Sequence, residues 1–251
     1  MLKRCWIGLL MLVGCNAWAG EVRLAVAANF TATAEQLVAQ FSEQSGHRVK
    51  VSYGSTGKLY AQIRHGAPYD LFLAADVERP QRAVKEGLAL KESAFIYAVG
   101  QLALWSATPG LFDQATGPGY LQENRYSRLA IANPKTAPYG AVAQQLLQQQ
   151  GLLKGARAKL VRGDSIAQTF QFVATGNAPV GFVALSQVRG WRGEQGSVWI
   201  PDTEQLPAIE QQAVLLKRGQ NNPAATAFMT FLRSDKAQTL IQQSGYQLAA
   251  E

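Results

Sequence analysis

The chain has 251 residues, 24 Lys and Arg against 17 Asp and Glu, a net charge of +7 and two cysteines. Its basic residues are scattered singly, whereas nucleic-acid binding calls for a clustered basic stripe, so we expect no nucleic-acid partner. Both cysteines, Cys5 and Cys15, precede residue 20, so a chain processed at Ala19 has no disulfide, thiolate metal site or cysteine nucleophile.

The first 19 residues have the pattern of an export signal. Lys3 and Arg4 supply a positive start, and Cys5–Val13 is an apolar run that is too short to span a bilayer. Ala17-Trp18-Ala19 follows as an A-x-A cleavage site. We therefore predict a signal peptide over residues 1–19 and a mature chain that is exported to the periplasm.

Lipid anchoring is a second interpretation of the same stretch. Leu12-Val13-Gly14-Cys15 is similar to a bacterial lipobox, which would make Cys15 a lipidated N-terminus. Cleavage after Ala19 is favoured because Glu21 and Val22 already begin the first strand, and lipidation would leave only a short tether. Export is expected in either case.

The mature chain opens with alternating apolar strands and amphipathic helices. Apolar residues at Ala34, Leu37, Val38 and Phe41 have the i, i+3, i+4, i+7 spacing of one helical face. In chain order we predict strands at Val22–Ala27, Val49–Tyr53 and Asp70–Ala75, and helices at Thr31–Gln44, Leu59–His65 and from Asp76 to Gly87. This βαβαβα order predicts a parallel sheet covered by helices.

The apolar segment Ala94–Trp105 is too long for one strand, and Gly100 is a natural bend, so we interpret it as the passage into a second lobe. A loop rich in Gly and Pro is predicted from Thr108 to Gly119. Further elements are predicted as strands at Leu129–Ala132, Lys159–Arg162, Val180–Leu185, Ser197–Ile200 and Gln212–Leu216, and as helices at Tyr139–Gln150, Ile166–Thr175, Pro223–Arg233 and Asp235–Ser244.

These elements predict an α/β chain of two lobes, with residues 20–100 plus 213–251 in lobe 1 and residues 101–212 in lobe 2. Each lobe would have a mostly parallel sheet flanked by helices. The strand at Gln212–Leu216 would carry the chain back to the first lobe. Two crossing segments make a hinge, and a ligand cleft is expected there.

Four strand-to-helix turns have chemistry suited to an anion, and two of them fall in each predicted lobe. Ligands of parallel α/β sheets bind beyond the carboxyl ends of the strands, and open helix N-termini attract anions. Each turn alone is also consistent with an ordinary helix cap or tight turn. The four are Ala28-Asn29-Phe30-Thr31, Gly54-Ser55-Thr56-Gly57, Ala137-Pro138-Tyr139-Gly140 and Asp164-Ser165-Ile166.

Catalysis has little support in the sequence, and we expect no enzyme, no cofactor and no side chain bound directly to a metal. The segment Gly54–Lys58 does not fit a nucleotide-binding P-loop. That motif needs Gly at the position of Ser52 and Ser or Thr at the position of Leu59. The two histidines, His47 and His65, lie in a loop and at a helix end, and no G-x-S-x-G elbow is present.

Over essentially the whole mature chain the sequence resembles periplasmic molybdate-binding proteins, the solute receptors of ABC importers. The segments that carry the resemblance are Ala-Ala-Asn-Phe-Thr (27–31), Gly-Ser-Thr-Gly-Lys-Leu-Tyr-Ala-Gln-Ile (54–63), Gly-Ala-Pro-Tyr-Asp-Leu-Phe-Leu-Ala-Ala-Asp (66–76), Asn-Pro-Lys-Thr-Ala-Pro-Tyr-Gly (133–140) and Gly-Asn-Ala-Pro-Val-Gly-Phe-Val-Ala (176–184). The resemblance implies the periplasmic binding protein fold and a monomer that delivers molybdate or tungstate to a permease in the inner membrane.

The resemblance also implies a dehydrated tetrahedral dianion held by neutral donors. The family's hydroxyl ligands fall on Asn29, where serine is commoner, and on Thr56, with Ser55 adjacent. Its backbone donors fall on Tyr139 and Ile166, and Ala28 belongs to the first turn.

Some family members add a tyrosine hydroxyl at the position of Ala184, so here that donor is missing or is replaced by Asn29 or by another backbone N–H.

Three alternatives were weighed against this interpretation. A receptor for sulfate or another oxyanion would keep the fold, and cavity size would have to separate sulfate from molybdate. An exported enzyme on the same fold lacks a nucleophile and base in the sequence. A ligand-sensing domain of a transcription regulator is disfavoured by the export signal and by the lack of a helix-turn-helix segment.

Overall fold

The computed structural model describes residues 20–202 and 206–249. The predicted signal peptide, with Cys15, lies outside these described residues. Within them, no helix has both the length and the apolar character that crossing a membrane requires.

The strands and helices of the described residues are as follows. The strands are β1 (Glu21–Ala27), β2 (Arg48–Gly54), β3 (Leu71–Leu73), β4 (Phe95–Gly100), β5 (Leu102–Ser106), β6 (Leu129–Ala132), β7 (Leu160–Gly163), β8 (Val180–Ala184), β9 (Ser197–Trp199) and β10 (Ile209–Leu215). The helices are α1 (Thr31–Ser45), α2 (Thr56–Arg64), α3 (Glu78–Lys85), α4 (Gly117–Glu123), α5 (Pro138–Gln149), α6 (Leu153–Ala156), α7 (Ile166–Ala174), α8 (Leu185–Arg189), α9 (Pro223–Leu232) and α10 (Asp235–Gln243).

The first sheet has the order β2-β1-β3-β10-β4. Strands β2, β1 and β3 are parallel, and β10 runs antiparallel to both of its neighbours. Successive side chains of β1 point to opposite faces, so Leu24 and Val26 pack with α1, α9 and α10, while Ala25 packs on the other side with Leu59 and Ile63 of α2. A central sheet position buried on both faces explains the continuous apolar runs Leu24–Ala27 of β1 and Leu71–Leu73 of β3, whereas β2 at the sheet edge alternates charged or polar with apolar residues.

The second sheet repeats this plan in the order β7-β6-β8-β5-β9. Here β7, β6 and β8 are parallel and β5 is antiparallel to its neighbours. Leu129 and Ile131 of β6 face α5, and Ala130 between them packs with Val173 of α7. The predicted α/β fold of two lobes, each a mostly parallel sheet between helices, is confirmed.

The chain crosses between the lobes where the sequence predicted a bend. Strand β4 of the first sheet ends at Gly100, and β5 of the second sheet begins at Leu102. The return strand, β10, begins at Ile209, three residues before the predicted start and therefore ahead of the predicted lobe boundary at residues 212 and 213. Those boundaries remain a prediction.

Some local predictions were wrong. Helix α4 lies partly in the segment predicted as a loop, because Pro118 is well placed in its first turn although the surrounding Gly and Pro suggest a loop. Helices α6 and α8 were not predicted, since four or five residues are too few to carry a periodic pattern. Helix α2 begins at Thr56 rather than at Leu59, so its start coincides with the second predicted turn.

A glycine places the third turn directly against the end of its strand. A Cβ atom built on Gly140 would lie 2.1 Å from the carbonyl oxygen of Ala132, the last residue of β6. Only glycine permits this approach, because backbone atoms cannot move aside as a flexible side chain can. The first turn of α5 is thereby fixed at the carboxyl end of the second sheet.

Gly140→Ala should therefore lower the free energy of unfolding by at least about 1–3 kcal/mol through overpacking. Gly119→Ala is the matched control, since Gly119 is also in a first helical turn but has nothing within 4 Å of a built Cβ. That control should be neutral or stabilising by about 0.5–1 kcal/mol. Urea unfolding of both variants measures the difference, and equal stabilities would contradict the packing argument.

Candidate functional site

The structure brings all six predicted site residues to one cavity between the lobes. The space that the centre of a water-sized sphere can occupy in it is ≈ 10 Å³. The first lobe contributes Ala28, Asn29, Ser55 and Thr56, and the second lobe contributes Tyr139 and Ile166. The remaining lining residues are Ala27, Gly54, Ala75, Ala137 and Pro138. The cavity is thus small and carries no charged side chain in its lining.

Each of the four turns opens a helix toward this cavity. A 3₁₀ turn starts at Ala28, α2 at Thr56, α5 at Pro138 and α7 at Ile166. The first N–H groups of a helix have no acceptor within that helix, and the helix dipole makes this end positive. None of the four has an acidic residue in its first turn. The cavity is therefore suited to an anion.

Two hydroxyl groups of the second turn add side-chain donors. Ser55 is 4% exposed, and its Oγ is buried with no hydrogen-bond partner among the described residues. The neighbouring Thr56 Oγ1 accepts a hydrogen bond of 3.1 Å from the N–H of Ala75, so the hydroxyl hydrogen is left to donate elsewhere. An unpaired buried hydroxyl costs about 1–3 kcal/mol, which a bound acceptor would relieve.

The side chain of Asn29, which the sequence predicts to contact the anion, forms hydrogen bonds within the protein. Its Nδ2 donates to Oε1 of Gln211 at 2.8 Å and to the hydroxyl of Tyr246 at 3.1 Å, so both amide hydrogens have partners. The backbone N–H of Asn29, in the first 3₁₀ turn, is the donor that its position offers the cavity. A side-chain contact of Asn29 with the anion remains a prediction.

Ala184 contributes nothing to the cavity. It is buried, is not among the lining residues, and its backbone N–H donates to Oε1 of Gln187 at 3.1 Å. The tyrosine hydroxyl that the sequence resemblance implies for some family members therefore has no side-chain counterpart at this position.

A buried polar network beneath the cavity was missed by the sequence analysis. It joins Asn29 to side chains of the first lobe (Tyr97, Gln211 and Tyr246) and of the second (Tyr139 and Ser186). One signal was available, because Gln211 and Gln212 are amides in the middle of a strand of a sheet buried on both faces.

Contacts at the mouth of the cavity hold the two lobes together. The N–H of Gly57 donates to the carbonyl oxygen of Thr136 at 2.9 Å. Lys58 Nζ and Asp164 Oδ2 form an ion pair of 2.8 Å, and Arg79 donates to the carbonyl oxygen of Lys135 at 3.1 Å. Because Lys58 and Asp164 are at least half exposed, water and salt screen their attraction. The lobes are therefore in a closed arrangement.

Burial keeps the tyrosines of the network neutral. Desolvation raises the pKa of Tyr97, Tyr139 and Tyr246 above its ordinary value, with the neighbouring phenols adding to the effect for the first two. Each hydroxyl therefore keeps its hydrogen and can both donate and accept. No group of three His, Cys, Asp or Glu side chains within residues 20–202 and 206–249 could hold a metal ion.

The fold and the cavity together define a two-lobed solute-binding protein with an uncharged site for an anion. The profile of the family described as bacterial extracellular solute-binding protein matches residues 22–247, and the chain belongs to that family. It is a binding protein, not an enzyme.

Relatives with known roles are similar over nearly the whole chain. The molybdate-binding protein ModA of Azotobacter vinelandii is 49% identical over 238 residues, which is 94% of each chain. ModA of Rhodobacter capsulatus is 46% identical, covering 96% of this chain and 93% of the relative. The resemblance to molybdate-binding proteins drawn from the sequence is confirmed.

Solved structures agree with this assignment. A periplasmic molybdate-binding protein of Azotobacter vinelandii superposes with a TM-score of 0.86 at 40% identity, covering 91% of this chain and all of the other. The sulfate-binding protein SubI of Mycobacterium tuberculosis has a TM-score of 0.73 at 19% identity, covering 91% of this chain and 87% of the other. The second likeness is one of fold alone.

The buried phenols predict a loss of stability in alkali. In the unfolded chain a tyrosine phenol has a pKa of about 10. In the folded protein Tyr97, Tyr139 and Tyr246 have a raised pKa, so the unfolded state releases their protons first and is favoured as the pH rises above 10. Each such phenol removes up to about 1.4 kcal/mol of stability per pH unit in that range.

Tyr246→Phe should remove one of these contributions. Its free energy of unfolding in urea should therefore fall less steeply above pH 10 than that of the unchanged protein. Parallel pH dependences would mean that Tyr246 ionises equally in both states.

Proposed function

We propose that this chain is a receptor that binds molybdate as a dehydrated tetrahedral dianion and delivers it to an ABC importer. The observation that carries the proposal is a cavity without a charged side chain in its lining, where four helix N-termini meet and the buried Ser55 hydroxyl has no partner among the described residues. One of the four, the N-terminus of α7, is partly capped, because Ser165 Oγ accepts from the N–H of Gln168 at 3.3 Å. The names of the two relatives that are nearly half identical supply the particular anion.

The proposed donors come from both lobes. In the first lobe they are the backbone N–H groups of the turn at Ala28 and Asn29, together with the hydroxyls of Ser55 and Thr56. In the second lobe they are the backbone N–H groups of Tyr139 and Ile166, which open α5 and α7. Neutral donors at helix ends stabilise a dianion without a buried lysine.

A site in which backbone N–H groups are the main ligands discriminates by protonation, because these groups can only donate. Monohydrogen phosphate carries a proton that needs an acceptor, and an unpaired polar contact costs about 1–3 kcal/mol. Phosphate should therefore be rejected. Tungstate is close to molybdate in size and charge, so we propose that it binds too. Sulfate is also fully deprotonated, and the dimensions of the closed cavity must exclude it.

The remaining parts of the proposal concern the route of the ligand. We propose cleavage after Ala19, release into the periplasm rather than lipid anchoring at Cys15, and docking to a permease of the inner membrane. A monomer suffices, because one chain supplies donors from both sides of the cavity. Residues 20–100 plus 213–251 and residues 101–212 are proposed as the two bodies that close on the anion. Residues Ile209–Gln212 of β10 pair with β4 of the first sheet, so we propose that they move with the first body.

Isothermal titration with molybdate, tungstate, sulfate and phosphate tests the ligand. Molybdate and tungstate should bind with clear heat, whereas phosphate should give none and sulfate should fail to displace molybdate. Binding of sulfate in preference to molybdate would instead favour a sulfate receptor on the same fold.

Ser55→Ala should separate binding from stability. Removing an unpaired buried hydroxyl should leave the melting temperature of the ligand-free protein unchanged or higher, while molybdate affinity falls by about 1–3 kcal/mol. Ser197→Ala is the matched control, because Ser197 is equally buried but its Oγ accepts from Leu111 and donates to Thr108.

That control should melt lower than the unchanged protein and bind molybdate equally well. Unchanged affinity in Ser55→Ala would remove this hydroxyl from the site.

A further inference from the structure

Gln211 connects the two halves of the proposed anion site. It is fully buried in β10, one of the two segments that cross between the lobes. Its Oε1 accepts from Asn29 Nδ2 at 2.8 Å and from the hydroxyl of Tyr97 at 3.0 Å. Its Nε2 donates to the hydroxyl of Tyr139 at 3.3 Å. One amide thus touches a cavity-lining residue of each lobe.

A second arm of the network makes a similar connection. The hydroxyl of Tyr246 donates to the carbonyl oxygen of Asn29 at 2.8 Å. Ser186, which follows β8 in the second lobe, places its Oγ 2.9 Å from that hydroxyl and 3.3 Å from the same carbonyl oxygen. The 3₁₀ turn at Asn29 is therefore held by its side chain and by its backbone, from both lobes.

The local backbone is shaped to admit these contacts. A Cβ atom on Gly100, at the other crossing segment, would lie 2.0 Å from the hydroxyl of Tyr139, so glycine leaves the space that this hydroxyl occupies. The pairing of β10 with β4 shifts register between Gln211 and Gln212, and such bulges re-aim side chains beside functional sites. Both irregularities lie where the lobes meet.

We propose that Gln211 is a positioning residue of the anion site, which aligns the donors of the two lobes when the cleft closes. This inference rests on the proposed function. Opening of the hinge moves Tyr139 and Ser186 with the second lobe, so their bonds to Gln211, Asn29 and Tyr246 exist only in the closed arrangement. The network therefore stabilises the state that retains the anion.

Gln211→Met tests this role, because methionine has a similar length and cannot hydrogen-bond the two partners. Gln212→Met is the matched control in the same strand, since the Oε1 of Gln212 is buried without a hydrogen-bond partner among the described residues and the network's hydrogen bonds do not include its side chain. Dissociation constants, dissociation rates and melting temperatures of the ligand-free proteins are measured for both. The ligand used is whichever oxyanion binds the unchanged protein.

Gln211→Met should weaken binding roughly ten- to a hundredfold, mainly through faster dissociation, because Asn29 and Tyr139 each lose a buried partner. Gln212→Met should bind within twofold of the unchanged protein. A role confined to folding would instead lower the melting temperature and leave affinity and dissociation rate as in the control, which would overturn the proposal.

Tyr139→Phe supplies a second, independent measurement in case the methionine variant folds poorly. It removes the hydroxyl that Gln211 contacts but keeps the backbone N–H proposed to bind the anion. The double variant carries both Gln211→Met and Tyr139→Phe. Its fold-loss of affinity should be smaller than the product of the fold-losses of the two single variants, because both substitutions remove the same hydrogen bond across the hinge.

Independent effects of the two substitutions would contradict the alignment role. Binding of sulfate alone would refute the molybdate proposal while still testing Gln211, and no binding of any oxyanion would refute both.

Discussion

Backbone N–H groups that face a closed, uncharged cavity are the constraint on which this structure depends. A buried donor that has no partner costs about 1–3 kcal/mol, and four helix starts place first-turn N–H groups around one small space. Most of the architecture serves that placement. Parallel strands deliver the helix starts to one edge of each sheet, and Gly140 lets α5 begin in contact with the end of β6.

Positive charge is kept at the rim and out of the cavity. Lys58 pairs with Asp164 across the mouth, and Arg79 pairs with Asp76, whose own pKa burial raises. A cation inside the cavity would attract any anion, whereas fixed dipoles stabilise only an anion whose oxygens accept hydrogen bonds from the donors. Each of these rim cations is paired with a carboxylate, so selection of the anion is left to the geometry within the cavity.

The sequence predicted the cavity better than it predicted what supports the cavity. Each lining turn is a local event, in which an apolar strand is followed by small or hydroxyl-bearing residues and a helical pattern, so four separate segments could be found one at a time. The supporting network is not local. Gln211 is 182 residues from Asn29, and Tyr246 is 217 residues from it, so no pattern along the chain marks their contact. Helix α4 was not predicted for a local reason. Its Gly and Pro residues are typical of a loop, although the structure forms a helix there.

The ligand-free cavity disfavours the closed arrangement, whereas the hydrogen-bond network favours it. Without a ligand, closure leaves the buried Ser55 hydroxyl without a partner among the described residues, which favours opening. The bonds of Gln211, Tyr246 and Ser186 across the hinge favour closure and are made whether or not an anion is present. A ligand shifts such an equilibrium only by its differential affinity for the two states. In the proposed site the donors of both lobes converge only on closure, so the N–H groups of Tyr139 and Ile166 would supply much of that difference. The hinge contacts and the unpaired Ser55 hydroxyl thus act on closure in opposite directions, and an anion that fits both half-sites adds to the side of closure.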